Sequence, residues 1–310
     1  MPPRRAWLLN LDADEELARP AGYTPNRAVL TRSRALAAQV GPLLGPDDVL
    51  IWPDEPPPAA LPDGSPTSLP LPPLPGHAWC PTPRALRALR DAGTVPAPAP
   101  PLEVIRCVNH RRFCAALGQP LPGACFADTV EEITRTVASP SPTGLWLLKR
   151  PFGFAGRGRL RIPAGPLDAS ALSWISASLA PDGRHGGGLQ VEPWMVRCGD
   201  FSQHGHLTPA GALVLGAPCV QRCDERGTWL ATARAAPADL APDEARALHE
   251  AATTTGEALA AAGYFGPFGI DAFRFRDAAG EVRWNPRCEI NARYTMGWAT
   301  GMGAVRPDLA

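Results

Sequence analysis

The chain has 310 residues, 45% of them apolar and 19% charged, and its 30 basic and 30 acidic residues cancel to a formal net charge of zero. Such a chain folds around a real core, and its length suits about two domains. It generates no long-range field to gather nucleic acid or an anionic membrane, so neither is expected as a partner. Of the basic residues only Lys149 is a lysine, in a sequence that also carries 38 prolines. That bias toward arginine makes the surviving lysine a candidate for chemistry arginine cannot perform.

The N-terminus, Met1 to Asp14, has two arginines and a short apolar stretch broken by Asp12, Asp14, Glu15 and Glu16, which is no signal peptide. No run approaches the roughly 20 apolar residues of a membrane span, so a cytoplasmic protein is expected. The eight cysteines lack the paired spacing of a zinc site and read as free thiols. Ala6 to Leu11 reads as a buried strand, Pro25 to Leu44 has apolar residues at helical spacing, and Val49 to Trp52 reads as a second strand. This β-α-β opening is Rossmann-like, but no G-x-G-x-x-G follows its first strand, so dinucleotide binding is disfavoured. Pro53 to Pro75 and Pro96 to Pro101 are proline-rich connections, and Thr82 caps a short helix beginning at Pro83.

A second unit begins near Val104, with a helix from Asn109 to Leu117. Leu145 to Lys149 and Arg159 to Ile162 read as strands around the glycine-rich stretch Pro151 to Gly158, and Leu189 to Val196 as another strand. Ala169 to Leu179 and Pro242 to Ala262 are helices; Phe268 to Arg276 and Val282 to Arg293 form a hairpin around Asp277 to Glu281. His204 and His206 share a strand face without a third metal ligand in view, and the tryptophans read as core or loop anchors.

Three stretches carry chemistry. Lys149 precedes Gly153, Gly156 and Gly158, whose freed backbone N–H groups suit phosphate oxygens; a Walker loop or a protein kinase would place the lysine after its glycines. Glu192, Trp194 and Met195 end an apolar strand, which reads equally as a structural strand end or as a place where a glutamate accepts hydrogen bonds from a base or ribose and the backbone pairs with an adenine edge. On the last strand Glu289, Asn291 and Arg293 point one way, and Asp271 on the preceding strand lies roughly opposite residues 286 to 289. Two acids held together call for a cation, and with the Asn291 amide they offer hard oxygen ligands to Mg²⁺.

This order of parts resembles the ATP-grasp superfamily over most of the chain, most specifically in the late hairpin. The resemblance implies a mixed α+β and α/β architecture. A Rossmann-like pre-ATP-grasp domain would span residues 1–103, and an ATP-grasp domain 104–310, whose lid subdomain (about 124–192) and large subdomain (about 193–310) clasp ATP. It further implies that Lys149 contacts the α- and β-phosphates under the glycine loop, that Asp200 holds the ribose hydroxyls, and that Asp271, Glu289 and Asn291 hold Mg²⁺, or Mn²⁺ in its place. Arg293 would stabilise the transferring phosphoryl group. Arg111 stands where the family commonly has an earlier phosphate-binding lysine.

The implied activity is an ADP-forming ligase that joins a small-molecule or peptide carboxylate to an amine or thiol. A nucleotide-binding regulatory module and a small-molecule kinase are the alternatives. The 17 residues after Arg293 leave room for a partner subunit, as in a homodimer, to complete the acceptor site.

Overall fold

The computed structural model of the protein describes residues 4–40, 43–52, 73–118, 121–153, 157–180, 186–224 and 229–309. The first sheet is parallel throughout. Its strands β1 (Ala6–Leu8), β2 (Val49–Ile51), β3 (Pro75–Ala78) and β4 (Val95–Pro96) stand in the order β2-β1-β3-β4. Helix α1 (Ala13–Ala18) follows β1, α2 (Arg27–Ala37) leads to β2, and α3 (Pro83–Asp91) joins β3 to β4. Both faces are covered: Ala6 and Leu8 pack with Ala85 and Leu89 of α3, while Trp7 joins a cluster with Ala37 and Trp298. That is why the run reads as continuously apolar rather than alternating. The β-α-β reading holds here, with the helix stopping at Ala37 rather than near Leu44.

Helices α4 (Leu102–Asn109) and α5 (Arg111–Ala116) meet at His110, whose Nδ1 accepts from the Arg112 N–H at 3.2 Å. The junction read at residues 103 and 104 falls in the first turn of α4. Next comes an antiparallel sheet in the order β5-β8-β6-β7, from β5 (Cys125–Ala127), β6 (Leu145–Lys149), β7 (Arg159–Pro163) and β8 (Leu189–Pro193). Helices α6 (Val130–Val137) and α7 (Ala169–Ser178) cover one face, where Ile133 and Ile175 meet Trp146, Leu148 and Val191. Alternation along the strands turns Leu147 and Lys149 the other way.

The third sheet has the order β12-β11-β9-β13-β14, with β10 (Leu213–Leu215) paired to β9. Its strands are β9 (Val196–Leu207), β11 (Cys219–Cys223), β12 (Trp229–Arg234), β13 (Gly266–Arg276) and β14 (Val282–Asn291). Helix α8 (Pro242–Ala261) covers one face, with Leu248, Ala252 and Leu259 against Phe268, Ile270 and Ile290. The long strand β9 is interrupted by glycines; a Cβ at Gly205 would stand 2.6 Å from the Phe268 ring, so the residue makes room for that core side chain. A short helix, α9 (Trp298–Met302), follows β14. Among the described residues no helix is long and apolar enough to cross a membrane.

Thr82 ties the first sheet together. Its hydroxyl donates to Glu16 Oε2 at 2.7 Å and accepts from the Asn10 amide at 3.2 Å and from the Ala85 N–H at 3.4 Å, all without exposure to solvent. Thr82→Ala takes one hydrogen bond each from the buried Asn10 amide and Glu16 carboxylate, which keep Cys80 and Arg84 as partners, and removes a helix cap, so urea denaturation is expected to show a loss of about 1–2 kcal/mol. A loss under about 0.5 kcal/mol would contradict the network.

Candidate functional site

The centre of the site is set by the pairing of β13 with β14. Asp271 stands opposite Glu289 and Gly269 opposite Asn291, so both acids and the amide share the face turned away from α8. Pro286 lacks an N–H, and there the ladder is irregular: Phe273 pairs with Asn285, whose side chain accepts from the Arg287 N–H at 3.1 Å. Asp271 accepts from Gln221 Nε2 at 2.9 Å and from Asn291 Nδ2 at 3.1 Å. Glu289 accepts from Arg111 Nη2 at 2.9 Å.

The two carboxyls respond in opposite directions. Burial, reinforced by the Glu289 charge, pushes Asp271 up to about 6. Burial also acts on Glu289, but the charge and hydrogen bond of Arg111, helped by Lys149 and Arg293, hold it below the ordinary glutamate value.

Across the cleft, Lys149 ends β6, and its Nζ lies 2.5 Å from Glu192 Oε1. Strand pairing sets Leu147 opposite Glu192 and Lys149 opposite Gln190, whose amide also donates to Glu192 at 3.2 Å. Both ions are buried, Lys149 with 7% and Glu192 with 4% of its surface exposed. Trp194 and Met195 form the connection from β8 to β9, where the Trp194 N–H bonds Leu145 O at 2.9 Å and the Arg161 guanidinium covers the Trp194 ring at 5.0 Å.

Arg111 comes from the start of α5. Its Nε donates to Arg150 O at 3.1 Å, and its Nη1 is buried with no hydrogen-bond partner among the described residues. Arg293 donates from Nη2 to Asp14 Oδ2 of α1 at 2.7 Å. The strand end before it is fixed by Asn109, which accepts from the Ala292 N–H at 2.9 Å and donates to Ala292 O at 3.2 Å. Asp200 on β9 accepts from Arg197 Nη1 at 2.9 Å.

Together these elements enclose a cavity of about 760 Å³. Of the residues predicted for the site, Arg111, Lys149, Gly153, Trp194, Met195, Asp200, Asp271, Glu289, Asn291 and Arg293 line it. Leu11 and Trp79 from the first sheet close one side.

No protein-family model matches the sequence, and no curated protein matches it either. Solved structures do. The biotin carboxylase domain of the 2-oxoglutarate carboxylase from Hydrogenobacter thermophilus, in complex with MgADP, ADP and bicarbonate, matches at 15% identity and a TM-score of 0.51, over 95% of this chain and 65% of that one. Biotin carboxylase from Campylobacter jejuni, in an ATP complex, matches at 13% identity and TM-score 0.51 over 74% and 50%. Pyruvate carboxylase from Rhizobium etli, with its allosteric activator acetyl coenzyme A, matches at 14% identity and TM-score 0.54 over 97% and 27%. The chain has the ATP-grasp fold. It spans about two thirds or less of each of these three chains.

Within the ATP-grasp chain two predicted residues stand elsewhere than expected. Glu192 is not among the residues lining the cavity; it is buried and pairs with the Lys149 ammonium. Gly158 is also away from the cavity wall; with φ +69° it closes the hairpin, and its carbonyl accepts from the Arg150 N–H at 2.7 Å. Gly156 lies outside the described residues. Gln221 and Asp14 are not among the residues expected from sequence. The first sits in a stretch with no motif of its own, and the second in an acidic run that reads only as the end of an apolar one. The arginines Arg157, Arg159 and Arg197 line the cavity too, hidden in the sequence by the abundance of that residue.

The oxygens of Asp271, Glu289 and Asn291 fit Mg²⁺. They are hard donors, they stand on one face of the hairpin, and Asp271, raised chiefly by burial and then by the Glu289 charge, would be favoured in its ionised form by a cation bound beside it. Among the described residues no cluster of three or more His, Cys, Asp or Glu side chains is arranged to hold a metal, and all cysteines are free. His204 instead bridges Ser202 Oγ at 3.1 Å and Thr295 Oγ1 at 3.2 Å, and burial pushes its imidazole down to about 4.

Because the folded-state pKa of Asp271 lies above its ordinary value of 3.8, the folded protein keeps a proton that the unfolded chain has lost. This group therefore weakens the fold as pH rises from about 4 to about 6, and the cost persists above that range. Asp271→Asn is expected to raise the thermal midpoint by a few degrees at about pH 8 and to change it little near pH 4. A fall at about pH 8, or equal shifts at both values, would contradict the paired-acid arrangement.

Proposed function

We propose that the chain is an ATP- and Mg²⁺-dependent, ADP-forming ligase that joins a carboxylate to an amine. The observation that carries this reading is the acid pair Asp271 and Glu289 with Asn291, facing the cavity that Lys149 reaches from the opposite sheet. A nucleotide triphosphate is the ligand that calls for both at once, a divalent cation held by oxygens and a compact ammonium on the same phosphates. Solved neighbours carrying ATP or MgADP support the same assignment.

The sheet orders the parts. Val196, just after the β8–β9 connection, pairs with Arg276, while Asp271 pairs with Ser202 and Gly269 with His204. Running along β13 and β14 from that connection, the chain passes the acid pair, then Asn291, then Arg293. The adenine then lies at Trp194 and Met195 with Asp200 near the ribose, the phosphates between Lys149 and the acids, and the reacting carboxylate toward Arg293. Lys149, held by Glu192, orients the α- and β-phosphates, and the loop around Gly153 covers them. Asp271, Glu289 and Asn291 would hold Mg²⁺, which would neutralise phosphate charge when bound. Arg111, locked to Glu289, sets the rotamer of that ligand and keeps it ionised.

In the reaction a substrate carboxylate oxygen bonds the γ-phosphorus as the bond to the β-phosphate oxygen breaks, releasing ADP. The amine nitrogen then adds to the acyl carbon, the C–O bond to phosphate breaks, and the nitrogen loses its proton to leave an amide and inorganic phosphate. Arg293 offsets charge on the transferring group, and positioning with charge neutralisation supplies the catalysis.

Incubation with ATP, Mg²⁺ and pooled carboxylates and amines tests this: ADP release is expected to require both pools. A stable phosphorylated product would indicate a kinase, and nucleotide binding without acceptor-dependent turnover a regulatory module. Glu289→Ala and Asn291→Ala are each expected to lower turnover by about 10²-fold or more with an unchanged circular dichroism spectrum, and Lys149→Ala to weaken nucleotide binding by at least about tenfold. Full activity in both hairpin variants would sink the metal assignment.

A further inference from the structure

Residues of the first and third sheets wall a second cavity of about 520 Å³, bounded by β3, β4, the start of β13 and the last turn, Pro307–Leu309. No described residue lines both this cavity and the one that Lys149 reaches: Tyr294 faces this one, while its neighbours Arg293 and Thr295 face the other. Its volume is that of a small-molecule site.

Three polar side chains on its wall have little or nothing to bond. Arg5 just precedes β1 and has only 5% of its surface exposed. Its guanidinium makes a single long hydrogen bond, from Nη2 to Leu309 O at 3.4 Å, and its Nε and Nη1 have no partner among the described residues. Trp7 pairs with His77 across β1 and β3, and the Arg5 carbonyl extends the ladder by accepting from the Val49 N–H at 2.8 Å, so alternation puts Arg5 and His77 on one sheet face. The His77 ring stacks on Trp7 at 4.8 Å and makes no hydrogen bond among the described residues. From the third sheet comes His206 of β9, 7% exposed, whose Nδ1 is buried with no partner among the described residues. A bare lone pair is more easily left unpaired there than an N–H, which places the proton on Nε2.

The acids nearby are already committed. Asp308 accepts from the Tyr294 hydroxyl at 3.0 Å and from Arg306 Nε and Nη2 at 2.9 Å each. Asp48 accepts from the backbone N–H groups of Arg5 and Gly45 at 3.0 and 2.8 Å and from the Trp7 indole at 2.9 Å. Burial holds both imidazoles below their ordinary value, so they are neutral near pH 7. The wall therefore presents one positive fork and two neutral rings that can donate. Around them stand prolines, among them Pro96, Pro98 and Pro267, which have no N–H to give, with Leu86 and Phe265. A nearly buried guanidinium with one long hydrogen bond is costly, and an anion is the partner that offsets it.

We infer that this cavity is a second ligand site and that it takes an organic monoanion, a single carboxylate on an apolar body. The carboxylate is received by the Arg5 fork and by the N–H groups of His77 and His206, and the body lies on the proline faces and Phe265. One guanidinium matches one negative charge; a dianion would bring an excess beside Asp308. The site is independent of the nucleotide reading.

The test is calorimetry on the full chain with phenylacetate, phenethyl alcohol, phenethylamine and inorganic phosphate as probes. Phenylacetate is expected to bind once per chain and at least about tenfold tighter than the other three. Arg5→Met and His206→Phe are each expected to weaken it by about tenfold or more, and Val95→Glu, at a wall position 56% exposed, by at least about threefold, all with Mg-ADP affinity unchanged. The exposed position keeps the test open where a buried variant fails to fold. No phenylacetate binding up to about 10 mM, equal or tighter binding of the alcohol, the amine or phosphate, or unchanged phenylacetate affinity in any folded variant would overturn the inference.

Discussion

Two carboxylates facing each other across a pair of strands form the constraint around which the rest of the site is arranged. The antiparallel register of β13 and β14 leaves Asp271 and Glu289 no choice of position, and like charges placed directly opposite weaken a sheet unless something neutralises them. The molecule answers in two ways. Arg111 takes one acid, while Gln221 and Asn291 hydrogen-bond the other without bringing a charge. Burial and the facing Glu289 nevertheless raise the Asp271 carboxyl, and a cation bound beside it would favour its ionised form.

The same ion pairs connect parts of the fold that are distant in sequence. Arg111 joins α5 to β14, and Arg293 joins the end of β14 to α1 beside the first sheet. Asn109 clamps the backbone of Ala292 between them. Side chains that would touch a nucleotide are therefore held by partners in other layers, which fixes their direction before any ligand arrives. Lys149 is held instead within its own sheet, by Glu192 of the neighbouring strand. Its ammonium sits 2.5 Å from Glu192 and is nearly buried, a compact point charge where arginine would bring a broader planar fork.

Much of this is legible in the sequence because it depends on local periodicity. Alternation along one strand is enough to group Glu289 and Asn291, and a turn marked by Asp277 and Gly280 is enough to set Asp271 roughly opposite residues 286 to 289; Arg293, read as part of the same strand, lies past its end at Asn291. Lys149 and the helix starting at Pro83 are readable for similar reasons. What escapes depends on contacts between strands far apart in the chain. The role of Glu192 follows from the pairing of β6 with β8, and that of Gln221 from β11 lying beside β9; neither pairing leaves a mark on the local pattern. Strand β9 is obscured by Gly199, Asp200 and Gly205, residues poor in strand propensity that are present because of Phe201, Phe268 and the cavity. Asp14 is hidden because an acid just after a strand reads as a loop until its arginine arrives from the other end of the chain.

The central claim is that burial and the facing Glu289 hold a proton on Asp271 that a nucleotide-bound cation displaces. Proton release on binding of preformed Mg-ADP, measured by calorimetry in buffers of different ionisation enthalpy, tests it most directly. The expected result is release of on the order of half a proton near pH 6 and almost none near pH 8, because the cation drives Asp271 to ionise. Binding with no proton release near pH 6 would show that the two carboxylates are already in balance and would contradict the account.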